Sequence, residues 1–308
     1  MKRNFLLLTV LAALLFVVSA CAAAPAPQAP APKPPPPPPQ NLLGTTDELQ
    51  LVTELALEMA KLYGGENVLV VLDIDNTLLA MEQGLGSDQW YYWQKALEEE
   101  QPCSEQLVND LLQAQGALYF ASAMQPVQPN AAEQVQRIQE EGLKVIALTS
   151  RGPEYRLSTF RELRRNGFRF WPSAWPPAGG YAEAFVPQGG TRQARYEDGV
   201  FMTAGQDKGV MLRALLDKSG QPYPTLIIVV DDKQEYLNQV MSAFSWSGTP
   251  VQAWRYTRED AQVEMFDSDQ ATAQWEVVQS ALLQVEEIMG PDNYDLPDPG
   301  TRAGCSTP

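Results

Sequence analysis

Acidic residues directly follow two apolar runs of the chain. Asp73 and Asp75 follow one run, and Asp231 and Asp232 follow another. Side chains two residues apart at the end of a strand project to the same side, so Asp73 and Asp75 are expected to point together. Converging carboxylates repel one another unless a cation neutralises them. A site built from oxygen atoms alone suits Mg²⁺, which binds carboxylates together with a substrate phosphate.

The composition excludes several other chemistries. The 308 residues include no histidine, which rules out Ser-His-Asp and Cys-His catalysis, histidine-ligated metals and phosphohistidine chemistry. The formal net charge of −16 disfavours binding of nucleic acid or of an anionic membrane through the bulk surface. An anionic substrate must therefore be attracted by a local positive charge.

The elements that must position these residues alternate in type. Apolar runs without interruption predict strands that are buried on both faces, which is typical of a parallel sheet. The predicted strands are residues 68–72, 143–148, 225–230 and 251–256. Between and after them, helical patterns cover residues 131–141, 153–165, 208–218 and 270–288. This alternation predicts an α/β protein with a doubly wound, Rossmann-like parallel sheet.

Two stretches interrupt the alternation. Residues 79–130 are helical and carry an aromatic cluster at 90–93, and their length predicts a helical cap over the end of the sheet. The aromatic cluster is interpreted mainly as the core of that cap. Residues 171–206 are rich in glycine and proline and are predicted to form a flap, with a β-hairpin within 182–202.

Four short motifs carry a resemblance to a known family. The string Asp73-Ile74-Asp75-Asn76-Thr77 resembles the DxDxT motif of the haloacid dehalogenase superfamily. Thr149 resembles the second motif, Lys208 the third and the pair Asp231-Asp232 the fourth, in the family order and at the ends or starts of predicted elements. The likeness extends over about residues 68–256.

The resemblance implies a reaction. Asp73 would attack phosphorus to form an aspartyl-phosphate, and Asp75 would protonate the leaving group and then deprotonate the hydrolytic water. Phosphatases of the superfamily carry an aspartate at the second position and dehalogenases lack it. The implied activity is therefore Mg²⁺-dependent hydrolysis of small phosphomonoesters.

The resemblance also implies the binding groups. Thr149 and Ser150 would hold phosphoryl oxygens, and Lys208 would neutralise phosphate charge and orient Asp73. Arg151 is either a substrate contact or a salt-bridged arginine. The implied metal ligands are Asp73, Asp75, Asp231 and Asp232, with Asp75 acting through its backbone carbonyl and Asp232 either a ligand or a neighbour of the ligands.

The match to individual groups within the superfamily leaves alternatives open. The strings DIDNT and LTSRG are similar to those of uncharacterised bacterial members, whereas lipoprotein acid phosphatases carry a glutamate where Asn76 stands. The alternative functions are a catalytically idle surface lipoprotein that binds a partner or envelope component, and a phosphotransferase that uses the same site.

The amino-terminal segment is typical of export. Residues 1–20 read as a signal peptide, and the small residues before Cys21 resemble a bacterial lipobox, with an ordinary signal peptide as the alternative. Residues 21–44 are predicted to be a proline-rich spacer, followed by the domain at 45–290 and a tail at 291–308. Ala22 favours anchoring in the outer membrane, so the only expected membrane contact is the lipid anchor.

Two further cysteines, Cys103 and Cys305, follow the predicted lipidation site. In an oxidising compartment they could form a disulfide that fixes the tail to the domain. The alternative is a buried thiol and a free one. A zinc site with two cysteines and no histidine is disfavoured.

Overall fold

Apolar strands and amphipathic helices alternate along the chain, and a computed structural model describes this arrangement for residues 35–297 and Cys305. The strands are β1 (Leu42–Thr46), β2 (Val68–Leu72), β3 (Leu79–Met81), β4 (Met124–Pro126), β5 (Lys144–Thr149), β6 (Arg195–Glu197), β7 (Val200–Met202), β8 (Leu226–Asp231) and β9 (Val251–Tyr256). The helices are α1 (Leu49–Tyr63), α2 (Asp88–Glu100), α3 (Leu111–Ala121), α4 (Ala131–Glu140), α5 (Arg156–Arg165), α6 (Lys208–Ser219), α7 (Gln234–Phe244), α8 (Asp260–Glu264) and α9 (Ser268–Met289).

The central sheet has seven strands in the order β1-β9-β8-β2-β5-β7-β6. Its neighbouring strands are parallel, except that β6 runs antiparallel to β7. Strand β2 lies between β8 and β5, and all of its residues are buried, which explains its uninterrupted apolar sequence. The predicted α/β class with a mostly parallel sheet is confirmed.

Helices cover both faces of this sheet. Val70 and Leu72 of β2 pack in the cluster that includes α1 and α4, whereas Leu69 and Val71 pack in the cluster that includes α6 and α7. Alternate residues of a strand point to opposite faces, so one short strand supports both layers. Each such fully buried valine or leucine stabilises the fold by about 2 kcal/mol.

Two regions of the sheet differ from the predictions. Strand β1 includes residues 42–44, which the sequence pattern assigned to the spacer; it is an edge strand with exposed residues and therefore lacks a continuous apolar run. The antiparallel pair β6–β7 falls within the predicted hairpin. However, β7 also pairs with β5, so the pair forms an edge of the central sheet instead of a separate flap. Helix α7 was not predicted.

Helices α2, α3 and α9 share a third apolar cluster. Trp90 is fully buried there, with its ring centroid 6.2 Å from that of Trp275. A disulfide joins Cys103, which follows α2, to Cys305. Of the two interpretations of these cysteines, the structure therefore has the bonded one.

The amino-terminal predictions concern residues before position 35. The signal peptide, the lipidation site at Cys21 and the spacer before residue 35 lie outside the described residues. Within residues 35–297, none of the helices combines the length and the apolar character that a membrane span requires.

Candidate active site

The carboxyl ends of three adjacent strands bring the predicted site residues to one edge of the sheet. Strand β5 ends at Thr149 and β8 ends at Asp231, and Asp73 directly follows β2 between them. The Asp73 N–H donates to the Val230 carbonyl at 3.0 Å, which continues the pairing of β2 with β8 by one residue. Ligand sites of open parallel sheets lie beyond this edge.

A tight turn follows Asp73 and directs Asp75 back over the same edge. The N–H groups of Leu78 and Leu79 both donate to the Ile74 carbonyl at 2.9 Å. Asn76 has a φ of 57°, a left-handed conformation that asparagine adopts more readily than most residues. The left-handed backbone conformation thus explains why asparagine suits this position of the motif.

Lys208 connects two of the strand-end carboxylates. Its Nζ lies 2.7 Å from Asp73 Oδ1 and 2.6 Å from Asp231 Oδ2, and the residue is 1 % exposed. Burial opposes the charge on the lysine, but the two adjacent carboxylates outweigh burial and raise the pKa of Lys208. The side chain is therefore a fixed, buried cation.

The start of helix α6 positions Lys208. The Asp207 carboxylate caps the helix by accepting from the Val210 N–H at 2.8 Å, and the Lys208 N–H donates to Gln239 Oε1 at 2.9 Å. A Cβ atom on Gly209 would lie 2.1 Å from the Gln239 carbonyl oxygen. Glycine therefore allows α6 and α7 to approach closely enough to position the lysine.

Three carboxylates gather around this lysine. Asp73, Asp231 and Asp232 each offer an oxygen atom, and these atoms lie within 4.8 Å of one another. Burial raises the pKa of Asp73 and of Asp232, and the neighbouring carboxylates raise both further, although Lys208 lowers that of Asp73. Lys208 beside Asp73 and Lys233 near Asp232 do not offset these increases in pKa, and an oxygen-only donor set of this kind fits Mg²⁺.

The carboxylate of Asp75 is held apart from this three-carboxylate cluster by Arg151. The Arg151 Nε lies 2.9 Å from Asp75 Oδ2 and its Nη2 lies 2.7 Å from Oδ1, a bidentate pair. Arg151 is 4 % exposed, and its guanidinium lies 4.3 Å from the centre of the Tyr119 ring. Arg151 is therefore salt-bridged, and because it also lines the cavity beside Asp75, its contact with a substrate stays a prediction.

Thr149 and Ser150 differ in how their hydroxyls are used. The Thr149 hydroxyl accepts from the Arg151 N–H at 3.1 Å and so stabilises its own loop. The Ser150 hydroxyl is buried and has no hydrogen-bond partner among the described residues. A buried polar group without a partner is costly, so Ser150 is the hydroxyl here that a ligand oxygen would satisfy.

Contacts between α2 and α7 cover the lysine, and no motif in the sequence indicated them. Lys233 Nζ lies 2.6 Å from Asp88 Oδ2 and 3.3 Å from the centre of the Tyr92 ring. The hydroxyls of Tyr92 and Tyr236 lie 2.6 Å apart, and the Tyr236 ring centre is 4.3 Å from the Nζ of Lys208. Asp88 and Lys233 are 145 positions apart, so local patterns could not relate them.

A cavity of about 780 Å³ opens beside Asp75. The sheet edge contributes Asp75, Ser150 and Arg151 to its wall, which also includes Tyr91 from α2 and Arg192 from the loop before β6. Trp90 is buried in the helical cluster, whereas its neighbour Tyr91 faces this cavity. The aromatic cluster at 90–93 is therefore only partly core.

These features define the chain as an α/β protein with a lysine and three aspartates at the carboxyl edge of a mostly parallel sheet. Residues 48–289 match the family described as protein of unknown function DUF2608, and the chain belongs to this family. The match extends from the start of α1 to the end of α9 and so includes every residue of the site. No curated protein matches the chain.

Proposed function

We propose that this protein is a Mg²⁺-dependent phosphomonoester hydrolase of the haloacid dehalogenase superfamily that acts through an aspartyl-phosphate. The observation that carries the proposal is the contact of buried Lys208 with Asp73 and Asp231, beside Asp232. A fixed cation beside a buried carboxylate is suited to receive a phosphoryl group and to neutralise its charge. In this proposal residues 79–130 act as the cap, and the loop before β6 is part of the flap.

The reaction has two steps. A carboxylate oxygen of Asp73 attacks phosphorus and forms the P–O bond of the aspartyl-phosphate, while the ester P–O bond breaks and Asp75 gives its proton to the leaving oxygen. Asp75 then takes a proton from water, whose oxygen attacks the same phosphorus and releases inorganic phosphate and free Asp73. The two hydrogen bonds from Arg151 hold Asp75 in its carboxylate form, which is the form that takes the proton from water.

The metal has a defined set of proposed ligands. Asp73, Asp231 and Asp232 would hold Mg²⁺, with the backbone carbonyl of Asp75 as the resemblance implies. The ion would supply positive charge to the phosphate and to the acidic cluster. Lys208 and the unpartnered hydroxyl of Ser150 would contact phosphoryl oxygens.

The test is hydrolysis of an aryl phosphate by the purified full chain. We expect turnover that requires Mg²⁺ and is abolished by Asp73→Asn, because an amide cannot act as the nucleophile. Asp47→Asn is the matched control, since Asp47 is exposed and belongs neither to the carboxylate cluster nor to the cavity wall. Absence of turnover by the correctly folded wild-type chain would refute the proposal in favour of a binding protein, and phosphorylated alcohol products would indicate a phosphotransferase.

We also propose that the chain is exported and lipid-anchored at Cys21. The disulfide between Cys103 and Cys305 supports export, because such bonds persist in oxidising compartments. Labelling of cells with a radioactive fatty acid should mark the wild-type protein and leave Cys21→Ser unlabelled. Labelling of both proteins at equal intensity would contradict the anchor.

A further inference from the structure

Arg192 differs from the other cations that line the site cavity. Arg151 is paired with Asp75, and Lys95 is paired with Glu98 on its own helix. Arg192 makes no ion pair within the described part of the chain; its Nη2 donates to the Gly205 carbonyl at 3.1 Å. Arg192 is exposed, and among the cations that line this cavity it is the one whose charge no carboxylate of the described residues neutralises.

The main chain at Arg192 is held in place by one buried glutamine. The N–H groups of Thr191 and Arg192 donate to Gln206 Oε1 at 2.7 and 2.9 Å. The Gln206 Nε2 donates to the carbonyls of Arg192 and Thr203 at 3.1 and 2.7 Å. Gln206 stands two positions before Lys208, so the loop with Arg192 is fixed to the segment that carries the buried lysine. Such preorganisation lowers the entropic cost of binding a ligand.

Arg192 lies where the site cavity adjoins a second space. Tyr91, Lys95, Leu112 and Arg192 line both the site cavity and an adjoining groove of about 720 Å³. A phosphoryl group held by Ser150, which lines the site cavity, would leave the rest of its ester in this space. Tyr91 and Leu112 offer that part of the substrate an aromatic ring and an apolar side chain beside the guanidinium.

We propose that Arg192 determines specificity by binding a second oxyanionic group, a carboxylate or a phosphate, on the leaving part of the substrate; this rests on the proposed phosphatase function. A guanidinium recognises such groups through two parallel hydrogen bonds. Glu99 and Glu154 also line the cavity and would repel a second anion. The unpaired positive charge of Arg192 makes the entry of this second anion favourable.

The test compares matched substrates with the full chain and Mg²⁺. Three phenyl phosphates carry a para carboxylate, phosphonate or carboxamide, and a second set places the same groups on a two-carbon spacer. We expect the wild-type kcat/KM to be about 10-fold or more higher for an anionic member than for the carboxamide of equal length, as for a charged hydrogen-bond pair. The better of carboxylate and phosphonate identifies the kind of anion.

The variant Arg192→Gln should reduce this ratio to near one, and the control Arg169→Gln should keep the wild-type ratio. Arg169 is an exposed arginine that lines a different cavity. Equal turnover of anionic and neutral members at both lengths would overturn the role of Arg192 and leave the phosphatase intact. Loss of the preference in Arg169→Gln as well would attribute it to overall charge and also overturn it. Failure of the wild type on all six compounds and on the aryl phosphate would instead refute the phosphatase.

Discussion

Lys208 Nζ lies 2.7 Å from Asp73 Oδ1, and both side chains are almost completely buried. Because Lys208 contacts Asp231 equally closely, it is the main charge that compensates two buried carboxylates. We therefore expect Lys208→Met to lower the free energy of unfolding without divalent ions by about 3–5 kcal/mol. Urea unfolding measures this, with the exposed Lys61→Met as control. An unchanged midpoint would show that the carboxylates are compensated by other means.

Asp232→Asn should act in the opposite direction. Burial and the adjacent Asp231 and Asp73 raise the pKa of Asp232, so its ionised form is unfavourable in the metal-free protein. The amide removes this repulsion, and we expect a higher Tm in EDTA together with a smaller increase of Tm on addition of Mg²⁺. Thermal unfolding with and without Mg²⁺ gives both values. A Tm in EDTA below that of the wild type would contradict the argument.

Arg151→Lys keeps the positive charge but loses the bidentate geometry at Asp75. If Arg151 acts by positioning the acid, kcat should fall about 10- to 100-fold, which corresponds to a few kcal/mol of transition-state stabilisation. KM should change much less, because Asp75 acts on the leaving oxygen. Steady-state kinetics separate the two constants, with Arg164→Lys as the exposed control. A rise in KM alone would instead indicate direct substrate binding by Arg151.

Glu197→Gln should lower the free energy of unfolding at neutral pH but not at very low pH. Hydrogen bonds from Arg156 outweigh burial and lower the pKa of Glu197 to about 2, with Arg195 contributing. The pKa of glutamate in the unfolded chain is about 4.3. Because the pKa of Glu197 is lower in the folded protein, the ionised side chain stabilises the fold at pH values above about 4.3, and this stability is lost as the pH falls through the folded pKa. We expect a loss of about 1–3 kcal/mol at pH 7 that shrinks between pH 4 and 2. Chemical unfolding as a function of pH tests this.

Loss of the disulfide should lower the stability of the fold, because the bond restricts the conformations of the unfolded chain. Cys103 and Cys305 are separated by 202 positions, so the bond closes a long loop. Cys103→Ser should lower the free energy of unfolding by about 2–4 kcal/mol. Cys305→Ser should have a similar effect, and the double variant should add little to either. Fully additive losses would mean that each cysteine contributes by packing and not through the bond.

Local sequence was sufficient to predict the centre of the sheet. The runs that became β2, β5 and β8 are apolar on both faces, and parallel strands end at one edge, so Asp73, Thr149 and Asp231 could be expected to meet there. The pattern failed at the edges. Strand β1 is mostly exposed, and β7 is too short to show a period, although all of its residues are buried.

The sequence by itself determined which acidic residues follow the central strands, because the apolar run of each strand is recorded in neighbouring residues, and the family resemblance added Lys208. Only the tertiary structure decided their partners: Arg151 with Asp75, Lys233 with Asp88, and Arg192 with none among the described side chains. Asp75 and Arg151 are 76 positions apart, and Asp88 and Lys233 are 145. Contacts over such separations depend on how helices pack across the sheet edge, and periodicity along one segment carries no information about that packing.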